Sequence, residues 1–296
     1  MRALITRAGA DTPVLTDVEP APLGPADLRI RISAAAVNPI DVFLATERGR
    51  AVFGLRGGTG LGSDLTGTVI EAGAKVDGFA VGDRVAALDR DPAAPSRAHA
   101  ESIVVAAADA ARVPVDLDPL TAASIPLNAL AARQGLDLLG PPEGRTLLVT
   151  GAAGAVGGYA VALAARAGWR VTGLARTGDV DFVSNAGAEQ VVNELPGPAY
   201  DVVLDAAAME NEAIPAVRDG GVYVGYPGQS TQAVRRIQIK SVVTQPDGAA
   251  LGKLLQLAAD GLLQLRIAGT VSLTDAAVAY AKVASGGQRG RWLLVP

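Results

Sequence analysis

Residues 147–179 read LLVTGAAGAVGGYAVALAARAGWRVTGLARTGD. An apolar run meets Gly151, Gly154 and Gly157, an alanine-rich segment follows, and a second apolar run closes the stretch. No other feature restricts the fold as much. A run of this kind is a strand that feeds a helix, and a strand returning after a helix lies parallel to the first. The N–H groups of such a turn converge with the positive end of the helix, a place that favours a diphosphate. Gly151 suits the tight turn, Gly154 leaves room for a ligand to approach the backbone, and Gly157 lets the helix pack close to the sheet. Glycines alone are weak evidence, because any α/β protein can turn this way. Here the order is complete: strand, loop, helix, and a second strand about 20 residues on. We therefore expect Gly151, Ala152, Ala153, Gly154, Ala155, Val156 and Gly157 to hold a dinucleotide.

The end of the second run selects which dinucleotide. An acid at that place accepts from the ribose 2′-hydroxyl of NAD. Ala175 stands there instead, followed by Arg176 and Thr177. A carboxylate would repel a 2′-phosphate, whereas a guanidinium binds one through two parallel hydrogen bonds. Ala175, Arg176 and Thr177 thus point to NADP(H). A solvated surface arginine is the plain alternative, and Asp179 and Asp181 are near enough in sequence to reach a ribose.

Strand and helix keep alternating after Thr146. TLLVTG, RVTGLA, EQVVN, YDVVLDA and GVYVGY read as strands, with helices near 156–167 and 179–186. Continuous apolar strands of this kind form a doubly wound parallel sheet covered on both faces. Residues 1–117 differ. ALIT, LRIRISAAAV, LTGTVIEAG, DRVAAL and ESIVVA are short strands bounded by Gly, Pro and Asp. PLTAASIPLNALAARQGLDLLG reads as helix, with Asp118 as N-cap and Pro119 in the first turn. After residue 262 come RIAGTVSL, a helix over DAAVAYAKVAS and a last strand, RWLLVP. We expect a nucleotide domain at 118–261 inserted into a mostly-β domain made of 1–117 and 262–296.

Composition narrows the function classes. The formal charge of −4 offers no basic surface for nucleic acid. The absence of cysteine excludes disulfides, thiolate zinc sites and a cysteine nucleophile. MRALIT lacks the apolar core of a signal peptide, and no uninterrupted apolar run reaches about 18 residues. These features suggest a soluble, cytoplasmic protein that contacts neither membrane nor nucleic acid.

Further segments fall into line around the loop. Asn38, Pro39, Ile40 and Asp41 follow the strand RISAAAV, and GSDLTGTVIEAGAKVDGFAVGDRV occupies 62–85. HAESIVV at 99–105, the stretch Pro126 to Leu130 and the C-terminal GRWLLVP complete the set. Taken together, the chain resembles the zinc-free quinone oxidoreductases of the medium-chain dehydrogenase/reductase superfamily over nearly its whole length. The resemblance implies an α/β protein with a Rossmann domain, a discontinuous catalytic domain with a GroES-like β-barrel, NADPH as cofactor and a homodimer. It also implies why metal ligands are missing. Zinc-dependent relatives carry Cys near Asn38 and Gly-His-Glu where Gly62, Ser63 and Asp64 stand. Some contacts of the family are altered: Val42 and Phe43 stand where relatives often carry Tyr or Trp, Ala131 replaces a Thr, and Glu194 replaces a Tyr.

By the same resemblance, Asp205, Ala206 and Ala207 should lie beside the cofactor ribose, and Gly225 and Tyr226 follow the next strand. Val243, Thr244 and Gln245 lie in SVVTQPDG, where relatives present backbone to the nicotinamide carboxamide. Asn38 and Tyr226 are the candidate catalytic residues, as donors to an acceptor carbonyl, and Asn38 is also a candidate for the nicotinamide ribose. Each has a structural alternative: Asn38 orders the turn before Pro39, and Tyr226 is a plain strand-end aromatic. Asp41 is placed to cap a helix through Val42 to Glu47, and Asp64 to stabilise its own loop. His99, the single histidine, has no visible orienting acid, so packing or surface is favoured over proton transfer. Lys240, Arg235 and Arg236 read as a solvated basic group. The expected activity is NADPH-dependent hydride transfer to a quinone or related conjugated carbonyl. The alternatives are an enone or alkenal reductase and a non-catalytic NADPH-binding redox sensor.

Overall fold

The computed structural model describes residues 1–55, 58–226 and 234–296. The strand Thr146–Thr150 has four buried residues in a row, and strands pair on both sides of it. Six parallel strands form its sheet, in the spatial order Gln190–Val192, Arg170–Leu174, Thr146–Thr150, Tyr200–Asp205, Val217–Gly225 and Gln238–Ser241. In chain order this is 3-2-1-4-5-6, the Rossmann arrangement, whose ligands bind at the carboxyl ends of the strands where the order reverses. Leu148, Val203, Ile214, Val217 and Tyr223 form a core cluster of this unit.

The sixth strand, Gln238–Ser241, was not among the expected strands. Its QIKS sequence has no apolar run, because it is an edge strand that packs on fewer neighbours. It covers Val217–Gly225, so GVYVGY is internal and does not supply the free sheet edge that a strand-paired dimer would use.

Asp205 ties the carboxyl end of this sheet together. Its side chain is fully buried. It accepts from Thr150 Oγ1 at 2.5 Å, Tyr223 Oη at 2.6 Å, the Glu210 N–H at 2.8 Å and the Ala207 N–H at 3.3 Å. One carboxylate thereby links three adjacent strands to the turn after Asp205. It contacts protein groups rather than facing outward toward a ribose.

The described chain divides into two compact units. The second comprises Asn128–Gln245 and Asp260–Gln264. The first comprises Met1–Leu127, Pro246–Ala259 and Leu265–Pro296. In the first, the long strand Asp27–Val37 is the axis of a mostly antiparallel sheet. It pairs with Ser102–Ala106 near its start, with Asp64–Ala72 along its length and with Arg291–Val295 at its end. Two register shifts in its pairing with Asp64–Ala72 mark irregularities of the kind that bend a sheet. Its burial alternates at first and becomes continuous over Ala34–Val37, where side chains on both faces are covered. Leu28, Ile30, Leu65, Val69, Val85 and Ile103 form one core cluster of this unit.

Two differences from the expected boundaries have physical causes. The segment from Pro119 is two helices, Pro119–Ala122 and Pro126–Asp137. Pro126 has no N–H to continue the first helix, and it disfavours helical backbone at Ile125. Asp118 caps the first helix as expected, accepting from the N–H groups of Leu120 and Thr121. The helix Gly248–Ala259 belongs with the first unit, because it packs against Ala107–Arg112. No described helix is long and apolar enough to cross a membrane.

Replacing Asp205 by alanine leaves the Thr150 and Tyr223 hydroxyls without their buried acceptor. Asp205→Ala is expected to cost about 3 kcal/mol or more in urea unfolding, since each stranded donor costs about 1–3 kcal/mol. A change below about 1 kcal/mol would show that the carboxylate does not hold the strand ends together.

Candidate active site

The glycine loop leaves Thr150 through Gly151, whose φ of 57° lies in the left-handed region that favours glycine. The Ala152 N–H bonds back to the Leu174 carbonyl at 3.1 Å, and the Gly154 N–H to the Gly151 carbonyl at 2.8 Å. The helix Ala155–Arg166 then starts with Gly154 at its N-cap, and no side chain caps it. Its first-turn N–H groups have no carbonyl within the helix to bond. A Cβ on Gly157 would lie 2.2 Å from the Gly151 carbonyl oxygen. Gly157 therefore allows the helix to pack on the loop itself, where closeness to the sheet was the expected reason. A Cβ on Gly154 would meet the Gly151 oxygen at 3.1 Å and no other group nearby, so the space beside Gly154 is open.

The strand Arg170–Leu174 stops one residue before Ala175, whose N–H bonds to the Val192 carbonyl at 2.9 Å. Arg176 and Thr177 are exposed and follow directly. The Arg176 side chain has no ion-pair or hydrogen-bond partner among the described residues. Asp179 is buried at the head of the helix Val180–Asn185, while Asp181 lies in that helix's first turn.

Two further segments stand at the carboxyl ends of the later strands. Ala206 and Ala207 follow Asp205, and the Ala207 N–H is held by Thr150 Oγ1 at 3.1 Å. Gly225 ends its strand and accepts from the Val242 N–H at 2.9 Å. Tyr226 donates its hydroxyl to the Ala131 carbonyl at 3.2 Å, and burial pushes its phenol above the usual range. Its proton is engaged by helix Pro126–Asp137, which argues against Tyr226 as an acceptor-facing donor. Val243 is 53% exposed and Thr244 is 6% exposed. Lys240 is not a solvated charge, because its ammonium caps the Leu138 carbonyl at 2.7 Å, just past the end of the same helix. Arg235 pairs with Asp219 and also donates to the Ile214 carbonyl.

The first unit carries a continuous polar chain, buried along most of its length. Arg97 donates to Asp89 at 2.5 Å and to Ser63 Oγ at 3.3 Å. Ser63 donates to Asp41 at 3.3 Å, and Asp41 accepts from the Asn38 N–H at 2.8 Å. Asn38 Nδ2 donates to Asp64 Oδ2 at 2.7 Å, and the other Asp64 oxygen accepts from the Leu127 N–H. Asn38 is the N-cap of helix Pro39–Ala45 and Asp41 its third residue, the two joined in a capping box. This corrects the expected helix, in which Asp41 itself was the cap. The Asn38 amide is buried and donates to Asp64 inside the protein. His99 is fully buried and bonds on both ring nitrogens, to Tyr280 Oη at 2.8 Å and the Ala36 carbonyl at 3.1 Å. A carbonyl only accepts, so Nε2 carries the proton and Nδ1 accepts from Tyr280. Burial holds the imidazole below its usual range, and packing is the outcome for this residue.

Sequence reading missed Thr150, Tyr223 and Gln134. Thr150 had a signal, a hydroxyl residue ending an otherwise apolar strand. Tyr223 and Gln134 had none, because their partners lie 18 and 111 residues away in the chain.

Burial pushes the Asp64 carboxyl up to about 7, against the bonds from Leu127 and Asn38 that favour its ionised form. An acid whose pKa rises on folding binds its proton more tightly in the folded state. Its contribution is complete below the unfolded value of 3.8 and is lost as pH rises through about 7. Asp64→Asn removes that dependence. In urea unfolding from about pH 5 to about pH 8, the advantage of the wild type over this variant is expected to shrink as pH rises. A gap that stays constant would show a carboxyl ionised throughout.

Comparison with known proteins agrees with this geometry. Residues 24–114 match the alcohol dehydrogenase GroES-like domain, and residues 178–294 match the zinc-binding dehydrogenase model. A chloroplastic quinone-oxidoreductase homolog of Spinacia oleracea is 33% identical over 218 residues, which cover 68% of this chain and 66% of that protein. A probable zinc-binding mitochondrial oxidoreductase of Arthroderma benhamiae is 31% identical over 262 residues, 79% of this chain and 78% of its own. The structure of the quinone oxidoreductase from Coxiella burnetii superposes with a TM-score of 0.87 at 25% identity, covering 100% of this chain and 99% of that one. The chain spans 58–66% of the length of the first curated relatives it matches. With a Rossmann sheet, a GroES-like domain and these relatives, the chain belongs to the medium-chain dehydrogenase/reductase superfamily of oxidoreductases, among its quinone oxidoreductase-like members.

Proposed function

We propose that this protein is an NADPH-dependent reductase of a quinone or related conjugated carbonyl compound, working without a catalytic metal. The observation that carries the reading is the pairing of an uncapped helix N-terminus at Ala155 with an unpartnered, exposed Arg176 just past the next strand. The loop Gly151 to Gly157 would take the diphosphate, since its helix end is bare and Gly154 opens space beside it. Ala175, Arg176 and Thr177 would surround the 2′-phosphate, with the guanidinium as its counter-charge. Ala206, Ala207 and Gly225 would line the path toward the nicotinamide, with Val243 and Thr244 at its carboxamide. When bound, the nicotinamide supplies the hydride.

The protein's own residues bind and orient in this reading. Asn38, Tyr226 and Asp205 hold backbone in place, and the proton for the reduced acceptor comes from water. A metal is not part of it, on the chemistry of the donors. Asn38 and Ser63 are not usual zinc ligands, both Asp64 oxygens accept protein hydrogen bonds, and both His99 nitrogens are engaged in the core. A cytoplasmic homodimer completes the reading, with Gln238–Ser241 as one of the two edge strands of the parallel sheet among the described residues.

The test is consumption of NADPH, with NADH in parallel, against ortho-quinones, para-quinones and enones. Turnover with quinones supports the reading, and turnover restricted to enones moves the assignment to an alkene reductase. Binding without any turnover leaves a sensor. Arg176→Ala is expected to weaken NADPH binding about tenfold or more while changing NADH binding little, a charge-assisted contact being worth about 1.5–3 kcal/mol. Equal losses would remove Arg176 from the 2′-phosphate. Gly154→Val is expected to abolish binding of both cofactors in a folded variant, because its side chain fills the open space beside the loop. Unchanged affinity would refute the loop assignment.

A further inference from the structure

We propose that Gln134 is a positioning residue for the nicotinamide end of the cofactor, an inference that rests on the cofactor reading above. Gln134 lies on helix Pro126–Asp137. Its Nε2 donates to the Gln245 carbonyl at 2.8 Å, and its Oε1 accepts from the Gln245 N–H at 2.9 Å. A side-chain amide thereby pairs with a peptide as one strand residue pairs with another.

The location of that pair gives it a purpose. The sheet ladder ends where the Val242 N–H bonds to the Gly225 carbonyl. Beyond it, among the described residues, no strand pairs with the chain. Val243 and Thr244 are therefore suspended between two fixed points, Val242 on the ladder and Gln245 on Gln134. The Val243 carbonyl accepts from Gln245 Nε2 at 3.2 Å. Among the described residues, no hydrogen bond engages the Val243 N–H or the N–H and carbonyl of Thr244. Thr244 is nonetheless 6% exposed, and peptide groups in such surroundings are normally paired. Adjacent donors and an acceptor held at fixed spacing match a primary carboxamide, which accepts through its oxygen and donates through its nitrogen. Gln134 sets that spacing.

Helix Pro126–Asp137 is a firm base for the clamp. Ala131 receives the Tyr226 hydroxyl, and the Leu138 carbonyl just past the helix receives Lys240. The segments after two strands are thus referenced to one helix. Loss of the Gln134 amide frees only the exposed Gln245 peptide, which water can satisfy, so a folded variant is expected.

The experiment measures binding of NADPH and of adenosine 2′,5′-bisphosphate, which lacks the nicotinamide, to wild type, Gln134→Leu and Gln134→Glu. Gln134→Leu is expected to raise the NADPH dissociation constant about tenfold, the effect of one lost ordering contact, and to leave the bisphosphate unchanged. Gln134→Glu keeps the acceptor, loses the donor near neutral pH and is expected to show the same split to a smaller degree, so the test does not depend on one variant folding. Unchanged NADPH binding in both variants overturns the proposal. Equal weakening of NADPH and the bisphosphate also overturns it, because a general structural defect affects both. Wild type that binds neither compound refutes the cofactor reading itself, and the inference falls with it.

Discussion

The closeness of Gly157 to the Gly151 carbonyl governs the second unit. Any side chain at residue 157 would collide with the loop that precedes its own helix. Because none is there, the helix begins at Ala155, directly above the end of the central strand. Its first N–H groups then have neither a helical carbonyl nor a side-chain cap. Strand pairing sets Thr150 opposite Asp205, and Asp205 gathers Thr150, Tyr223 and the loop at Glu210. The sheet end is tied by one carboxylate, and the first N–H groups of the helix beside it have no side-chain cap.

Within each unit, most of the candidate polar side chains have partners inside the protein. Asn38 and Asp64 belong to a chain running from Asp89 to Leu127, Tyr226 is tied to a helix carbonyl, and His99 is locked between Tyr280 and Ala36. In the second unit, what remains around the glycine loop is peptide N–H groups, with Arg176 an exposed charge just past the next strand. Such a surface suits chemistry that a bound cofactor carries and the protein only orients. The polar chain of the first unit from Asp89 to Leu127 is hydrogen-bonded at each step. An unpaired group at that depth would cost more than any single surface contact returns.

Much of this was legible in the residues. Long apolar strands, the glycine loop and the Asp118 cap follow from local sequence, because each depends on neighbours a few positions away. The helix Gly248–Ala259 was not read from the sequence, although Leu251, Leu254, Leu255 and Ala258 repeat at helical spacing and are buried. Its membership in the first unit was not legible, because no local pattern records which surface a helix covers. The edge strand Gln238–Ser241 escaped for the opposite reason, having almost no apolar signature of its own.

The sequence by itself determined the parallel sheet, the turn that opens the helix at Ala155 and the absence of an acid at residue 175. These depend on backbone geometry and on which side chains are present, and both are local. Only the tertiary structure shows which protein groups Asn38, Tyr226, His99 and Asp205 touch. Each is a polar residue that sequence position made a candidate for ligand or proton, and each has a hydrogen-bond partner distant in the chain. The same holds for Gln134, whose importance exists only because folding brings the Gln245 peptide 111 positions away to its amide. A side chain's chemistry is set by its type, but whether that chemistry is free to act depends on the atoms folding places around it.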